Sequence, residues 1–355
     1  MAISDRPPTS AFVARMRRVY NPVGFSKGYN FILWFIFGGA FFAFILARLE
    51  FLDIDGVFCN PNSASTAAPG ECFYWLQNKY RVGVLLHLGT ILPAGLLACI
   101  QFTPVIRHKV KLLHRMNGYI VITLCIISSA AVLYILPVSF GGDIVIQAGG
   151  GVLAFSFLGA LVMAYINIKR LQIDQHRAWM LRAWFWAGSI ITLRLILFSA
   201  AAINSFPRYY AMPCDKIHWI LGGNVTGTVA RYPECASFFS GENIQQHAAI
   251  RAAVTGATSA VEAAAAVDST FGMALFVAFL LHIIGVEIYL TLTPAESERL
   301  RQFSYERQLK AGMRNPGSAG LTSDRLGDAK RWAPQIESDE SNSQSTEVRN
   351  RSDSP

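Results

Sequence analysis

Six apolar runs constrain this chain more than any other feature of it. They cover 29–47, 81–101, 118–138, 148–168, 184–203 and 271–293. A helix needs roughly 20 apolar residues to cross a bilayer, and none of the runs alternates as a barrel strand does. The expectation is an all-α, polytopic membrane bundle of six transmembrane helices. Composition agrees, with 52% hydrophobic and 15% charged residues, against about 25% charged in an average soluble domain. The first run follows a long basic flank (Arg6, Arg15, Arg17, Arg18, Lys27) with no small-residue cleavage motif after it, so it reads as a retained signal-anchor.

Lysine and arginine near the span ends set the orientation. Besides the N-terminal flank, basic residues gather at 102–117 (Arg107, Lys109, Lys111, Arg115), at 169–183 (Lys169, Arg170, Arg177, Arg182) and after the sixth run (Arg299, Arg301, Arg307). With six spans these lie on one side, which places both termini in the cytosol. The net charge of +8 is then a topology signal and no pointer to nucleic acid. The opposite loops, 48–80 and 204–270, hold Cys59, Cys72, Cys214 and Cys235 and the sequon Asn224-Val225-Thr226. Disulfides and N-glycans belong to the lumenal or extracellular side, so the expected location is a membrane of the secretory pathway. Four cysteines allow three pairings; the short enclosed loops favour Cys59–Cys72 and Cys214–Cys235, and Cys99 and Cys125 fall inside spans as packing residues.

Three segments, 1–28, 294–311 and 312–355, flank or follow the six-helix domain at 29–293. Within 1–28, residues 1–8 are expected disordered and 9–20 form an interfacial helix with Phe12, Met16 and Val19 on one face. The Ala-rich stretch after Gln246 reads as an outside helix feeding the sixth span. Thr293-Pro294-Ala295-Glu296 reads as a capped start of a cytosolic helix over 294–311, with Leu300 and Phe303 on its packing face. The stretch 312–355 reads as a disordered tail.

Polar residues in a membrane are functional candidates. His87, Arg194, His282 and Glu287 fall inside spans, and His114 and His176 come near the cytosolic interface, each followed by an arginine (Arg115, Arg177). Each has a bland reading: interfacial anchoring for the His-Arg pairs, a carboxylate or carbonyl partner inside the bundle for Arg194, separate partners for His282 and Glu287, and a structural hydrogen bond for His87. The sharper reading is one polar site in which His114 and His176, at equal depth, act as axial ligands of haem b. Gly118 would leave room for the macrocycle, Arg115, Arg177 and Arg182 would neutralise an anionic group, and His87 would be a further candidate ligand. No metal beyond such a haem iron is expected. There is no HExxH, no C-x-x-C-H and no glycine-rich nucleotide loop.

The stretch running from His87 through Gln101-Phe102, His114-Arg115-Met116-Asn117-Gly118 and His176-Arg177-Ala178-Trp179-Met180-Leu181-Arg182 to Arg194 resembles a widespread family of predicted membrane proteins whose domain has no assigned function. The likeness covers about 81–203 and groups His87, His114, His176 and Arg194 as a set. Similarity to the cytochrome b561 group is architectural only, because the four-histidine pattern is missing. Three functions stay open: a haem b transmembrane electron-transfer protein or oxidoreductase, served by a redox or small-molecule partner; a proton-coupled transporter with a relay through His87, Arg194, His282 and Glu287; and a non-redox membrane tailoring enzyme or accessory scaffold.

Overall fold

The computed structural model describes residues 7–63, 66–203 and 208–335. The chain divides into two compact units, Met1–Gly159 with Arg182–Val286, and Ala160–Leu181 with Glu287–Pro355. Among the described residues six helices are long and apolar enough to cross a membrane. The protein is an all-α, multi-pass bundle, as its hydropathy predicts.

The first unit opens with α1 (Ala11–Val23). Ser10 caps it by accepting the Val13 N–H, and Gly24 ends it in the left-handed conformation at φ 99°, which glycine adopts without steric cost. The first span, α2 (Gly28–Leu52), is wound as a π turn over Trp34–Gly38; the Gly38-Gly39 pair lies where that winding ends. The second and third spans, α3 (Asn78–Gln101) and α5 (Lys111–Ile135), are joined through the short α4 (Pro104–Lys109). They pack so closely that a Cβ on Gly83 would come within 2.4 Å of Ile135. Small residues permit such an approach between membrane helices.

The fourth and fifth spans are α6 (Ile144–Lys169) and α7 (Ile173–Ile203). At about 1.5 Å per residue, α7 with its 31 residues is ~46 Å long and exceeds a hydrocarbon core of about 30 Å. That is why helix ends overrun the apolar runs, and why His114 and His176 fall inside helices.

Both disulfides form as expected, Cys59–Cys72 and Cys214–Cys235, and the loops they close are organised. β1 (Tyr209–Pro213) pairs antiparallel with β2 (His247–Arg251), Met212 opposite Ala248. α8 (Cys214–Ile220) follows β1 directly. Met212, Cys214, Ile217, Cys235, Ile250 and Ala264 build one buried core there. The expected outside helix needs correction: 247–251 is strand, and the Ala-rich stretch from Ala260 is continuous with the sixth span as α9 (Ala260–Thr291). Alternating burial along His247–Arg251 suits a strand. Farther on, alanine's high helix propensity extends the membrane helix outward.

In the second unit α10 (Pro294–Lys310) starts with Pro294 at its first turn, but the expected capping arrangement is not made. The Thr293 hydroxyl donates back to the Tyr289 carbonyl (2.9 Å), and Glu296 pairs with Arg299. The expectation of disorder after residue 312 is overturned for 312–335. Buried amide side chains hold this segment by its backbone. Gln308 Oε1 accepts the Gly317 N–H (2.7 Å), Gln172 Oε1 accepts the Gly320 N–H (3.0 Å), and Asn167 Oδ1 accepts the Leu321 N–H (2.8 Å). Arg301 binds Asp324 (2.7 Å), and the Trp332 indole donates to Glu298 (2.7 Å). Residues 336–355, like 1–6, lie outside the described residues.

Candidate functional site

The first unit gathers its buried charged groups at the end of the bundle that carries the disulfides. Three of them are almost completely buried: Glu71 in the loop before Cys72, Lys216 on α8 and Asp268 on α9, with 2%, 1% and 0% of their surface exposed. Lys216 Nζ donates to Asp268 Oδ2 at 2.8 Å and stands 4.0 Å from Glu71 Oε1. Asp268 Oδ1 is buried without a hydrogen-bond partner among the described residues. Gly70 lets the loop come this close, since a Cβ there would meet Lys216 Cε at 2.9 Å.

The turn between α5 and α6 closes the cluster from another side. Its sequence, Ser139-Phe140-Gly141-Gly142, holds Phe140 at φ 50°, a conformation costly for a bulky side chain, by about 1–3 kcal/mol. Glu71 secures it, both carboxyl oxygens accepting the Phe140 N–H at 3.1 and 3.0 Å. The Phe140 ring stacks on Phe271 with centroids 3.9 Å apart, and the Arg194 guanidinium sits 5.1 Å above the Phe140 centroid and 5.7 Å from that of Phe271. Where a carboxylate or carbonyl partner was expected, Arg194 meets a pair of aromatic rings, a cation–π arrangement. Tyr210 on β1 lies over Gly141, and Lys216 Nζ is 5.6 Å from the Tyr74 ring.

Burial pushes the Glu71 carboxyl up to about 8, and Asp268 adds to the rise while Lys216, the Phe140 N–H and Arg194 oppose it. Glu71 consequently holds a proton at neutral pH and exchanges it slightly above. Tyr74 and Tyr210 are raised too, first by burial and then by neighbouring carboxylates. The arrangement comprises a protonated acid, an ion-paired carboxylate with one open oxygen and a lysine, all three withdrawn from water, beside the half-buried Arg194. It suits proton transfer in a low-dielectric setting.

The histidines do local work. His87 Nδ1 shares a hydrogen bond with Ser128 Oγ (2.8 Å), joining α3 to α5. His282 is bonded at both ring nitrogens: Nδ1 donates to the Phe185 carbonyl (2.6 Å) and Nε2 accepts from Thr192 (2.8 Å). Gln101 Nε2 donates to the His114 carbonyl (2.7 Å), and Asn117 donates to the Leu97 carbonyl (3.0 Å). Those two bonds knit the α3–α5 hairpin. The Gln101 amide lies 3.5 Å from where a Gly118 Cβ would be, so the space at Gly118, read from sequence as room for a macrocycle, adjoins this side chain.

His114 and Arg115 belong to the first unit, His176 and Arg177 to the second. His176 Nδ1 donates to the Ala164 carbonyl (2.9 Å). Arg177 meets Tyr289 through its hydroxyl (3.2 Å) and over its ring. Arg182 and Glu287 are half-buried, in the first and second unit respectively. Asn224 is exposed and caps the short helix Val225–Arg231. Among the described residues no three or more His, Cys, Asp or Glu gather as metal ligands.

Glu71, Lys216, Asp268 and Phe140 escaped the sequence reading. The available signal was faint: a lone acid beside Cys72, a lone lysine two residues after Cys214, and a lone aspartate three residues before the sixth apolar run.

Residues 84–219 match a family described as "Predicted membrane protein (DUF2306)". The matched stretch begins near the expected 81, runs past the expected 203 and takes in Tyr210 and Lys216, along with Phe140 and Arg194. The chain is also 25% identical over 327 residues to Ava biosynthesis cluster protein G of Aspergillus versicolor, an alignment covering 79% of this chain and 93% of that one. No solved structure matches.

Proposed function

We propose that this multi-pass membrane protein is a non-redox tailoring enzyme of small-molecule biosynthesis, acting by proton transfer at the Glu71–Lys216–Asp268 cluster in a membrane of the secretory pathway. The observation that carries the reading is a glutamic acid protonated at neutral pH, buried beside an aspartate with an unbonded oxygen. Glu71 gives its proton to the substrate, Asp268 Oδ1 accepts one from it, and Lys216 with Arg194 offsets the negative charge that develops. The aromatic faces of Phe140 and Phe271 suit an apolar substrate. Its resemblance to a protein named for a biosynthesis cluster supports the same class. The cluster is shut off from water, so a substrate enters only when the Glu71-bearing loop or the Phe140 turn moves.

Metabolite profiles of cells producing the chain or its Glu71→Gln variant test this, with both proteins brought to equal membrane abundance. A product made with the unaltered chain should vanish with the variant. The same product from both would end the proposal.

Ligation of haem b is the second reading, and one observation favours it. Because Nδ1 of His176 donates to a carbonyl, its Nε2 carries the lone pair a haem iron takes, and such a bond orients metal-ligating histidines elsewhere. Absorbance of the purified protein decides: a Soret band that disappears in His176→Ala supports haem, and a colourless protein from haem-replete cells rules it out.

A further inference from the structure

At the other end of the first unit, exposed cations gather without any acid among them. Arg15 and Arg18 project from α1, Lys109 ends α4, and Lys111 and Arg115 stand on the first turns of α5, all five exposed. α1 packs against α4 and α4 against α5, so residues almost a hundred positions apart form one basic surface. The stretches 11–27 and 102–117, which build it, contain no aspartate or glutamate.

Membrane topology does not account for that depletion, because orientation follows lysine and arginine and is nearly indifferent to acids. The second unit shows the contrast: there Arg299 pairs with Glu296 and Arg301 with Asp324. Apolar side chains lie between the cations as well. Leu112 and Leu113 are 68% and 48% exposed, and Phe12 on α1 is 70% exposed. A ligand matching this surface is anionic at one end and hydrocarbon at the other.

We infer that the α1–α4–α5 surface binds an anionic phospholipid, its headgroup held by Arg15, Arg18, Lys109, Lys111 and Arg115 and its acyl chains lying along Phe12, Leu112 and Leu113. A soluble phosphate or acidic peptide would use the cations and leave the exposed leucines uncovered. Basic residues near an anionic membrane surface contribute about 1 kcal/mol each, which is roughly fivefold in affinity.

The test uses the full chain in neutral detergent with a fluorescent phosphatidylinositol phosphate as probe. Phosphatidylcholine serves as the neutral comparison and free inositol phosphate as the soluble competitor. Lys109→Gln/Lys111→Gln/Arg115→Gln should bind the probe on the order of 100-fold more weakly, and Arg15→Gln/Arg18→Gln on the order of 20-fold. Arg299→Gln, which removes a cation of the second unit, should bind as the unaltered chain does. The double variant lies on another helix, so a misfolded triple variant leaves the inference open to refutation. Undiminished binding by the double variant would overturn it. Inositol phosphate competing as well as the lipid, or phosphatidylcholine binding equally, would overturn it too.

Discussion

Replacing Lys216 with methionine removes the cation of the buried pair while keeping its length and apolar stem. Lys216 and Asp268 are each 1% exposed in their side chains and 2.8 Å apart. Asp268 Oδ1 has no hydrogen-bond partner among the described residues, so losing Nζ strips the carboxylate of the bond at Oδ2. Breaking a buried pair from one side typically costs about 3–5 kcal/mol, because an uncompensated charge stays behind. Asp268→Asn in the unaltered chain should also destabilise, leaving Lys216 facing a neutral amide. In the Lys216→Met background the same aspartate change removes the stranded charge and should stabilise. Denaturant unfolding of the detergent-solubilised protein, run as a double-mutant cycle, reads this reversal of sign. If Asp268→Asn destabilises equally in both backgrounds, the two residues are energetically independent and the argument from burial fails.

Glu71 should make stability depend on pH. Its folded value of about 8 lies above the ordinary 4.5, so the folded chain binds an extra proton between the two; its contribution is complete below about 4.5 and lost as pH rises through 8. Glu71→Gln should flatten that part of a pH-stability profile, and an unchanged slope would contradict the assignment. Cys214→Ser/Cys235→Ser opens a loop closed across 21 residues and should cost roughly 3 kcal/mol in thermal or denaturant unfolding. In secretory-pathway expression Asn224→Gln should abolish a glycosidase-sensitive gel shift; a shift surviving the change would place the glycan elsewhere. Gln308→Leu removes acceptor and donor from buried partners at Gly317, Arg170 and Gln172. Limited proteolysis should then cut within 312–335 at protease levels that leave the unaltered segment intact.

The spans and disulfides were legible because each rests on a local property. Twenty apolar residues form a membrane helix wherever the rest of the chain goes, and Cys59 and Cys72 stand close enough in sequence to suggest a pair. Glu71, Lys216 and Asp268 have no such locality. Each is a single charge in its own segment, and only tertiary packing brings the three together. The ordered 312–335 segment escaped for a related reason: its scarcity of apolar residues signals disorder, yet backbone groups bonded to Asn167, Gln172 and Gln308 hold it without a large core. Gln101 and Asn117 were visible as parts of a motif, but their bonds to helix carbonyls are matters of three-dimensional register that spacing alone does not reveal.

Glu71 joins two features that sequence would treat separately. The same carboxyl group that carries an exchangeable proton also holds the Phe140 N–H and thereby a turn in an unfavourable backbone conformation. A neutral carboxyl accepts that hydrogen bond weakly, and an ionised one accepts it roughly twice as strongly. In the proposed reaction, proton donation by Glu71 therefore tightens its hold on the Phe140 turn, and regaining the proton loosens it. The Phe140 ring stacks on Phe271 and touches the Arg194 guanidinium, so a displaced turn would uncover part of the apolar wall and of the guanidinium. Chemistry and access would then be linked through one side chain, with the site closed while Glu71 is ionised and easier to open once it is reprotonated.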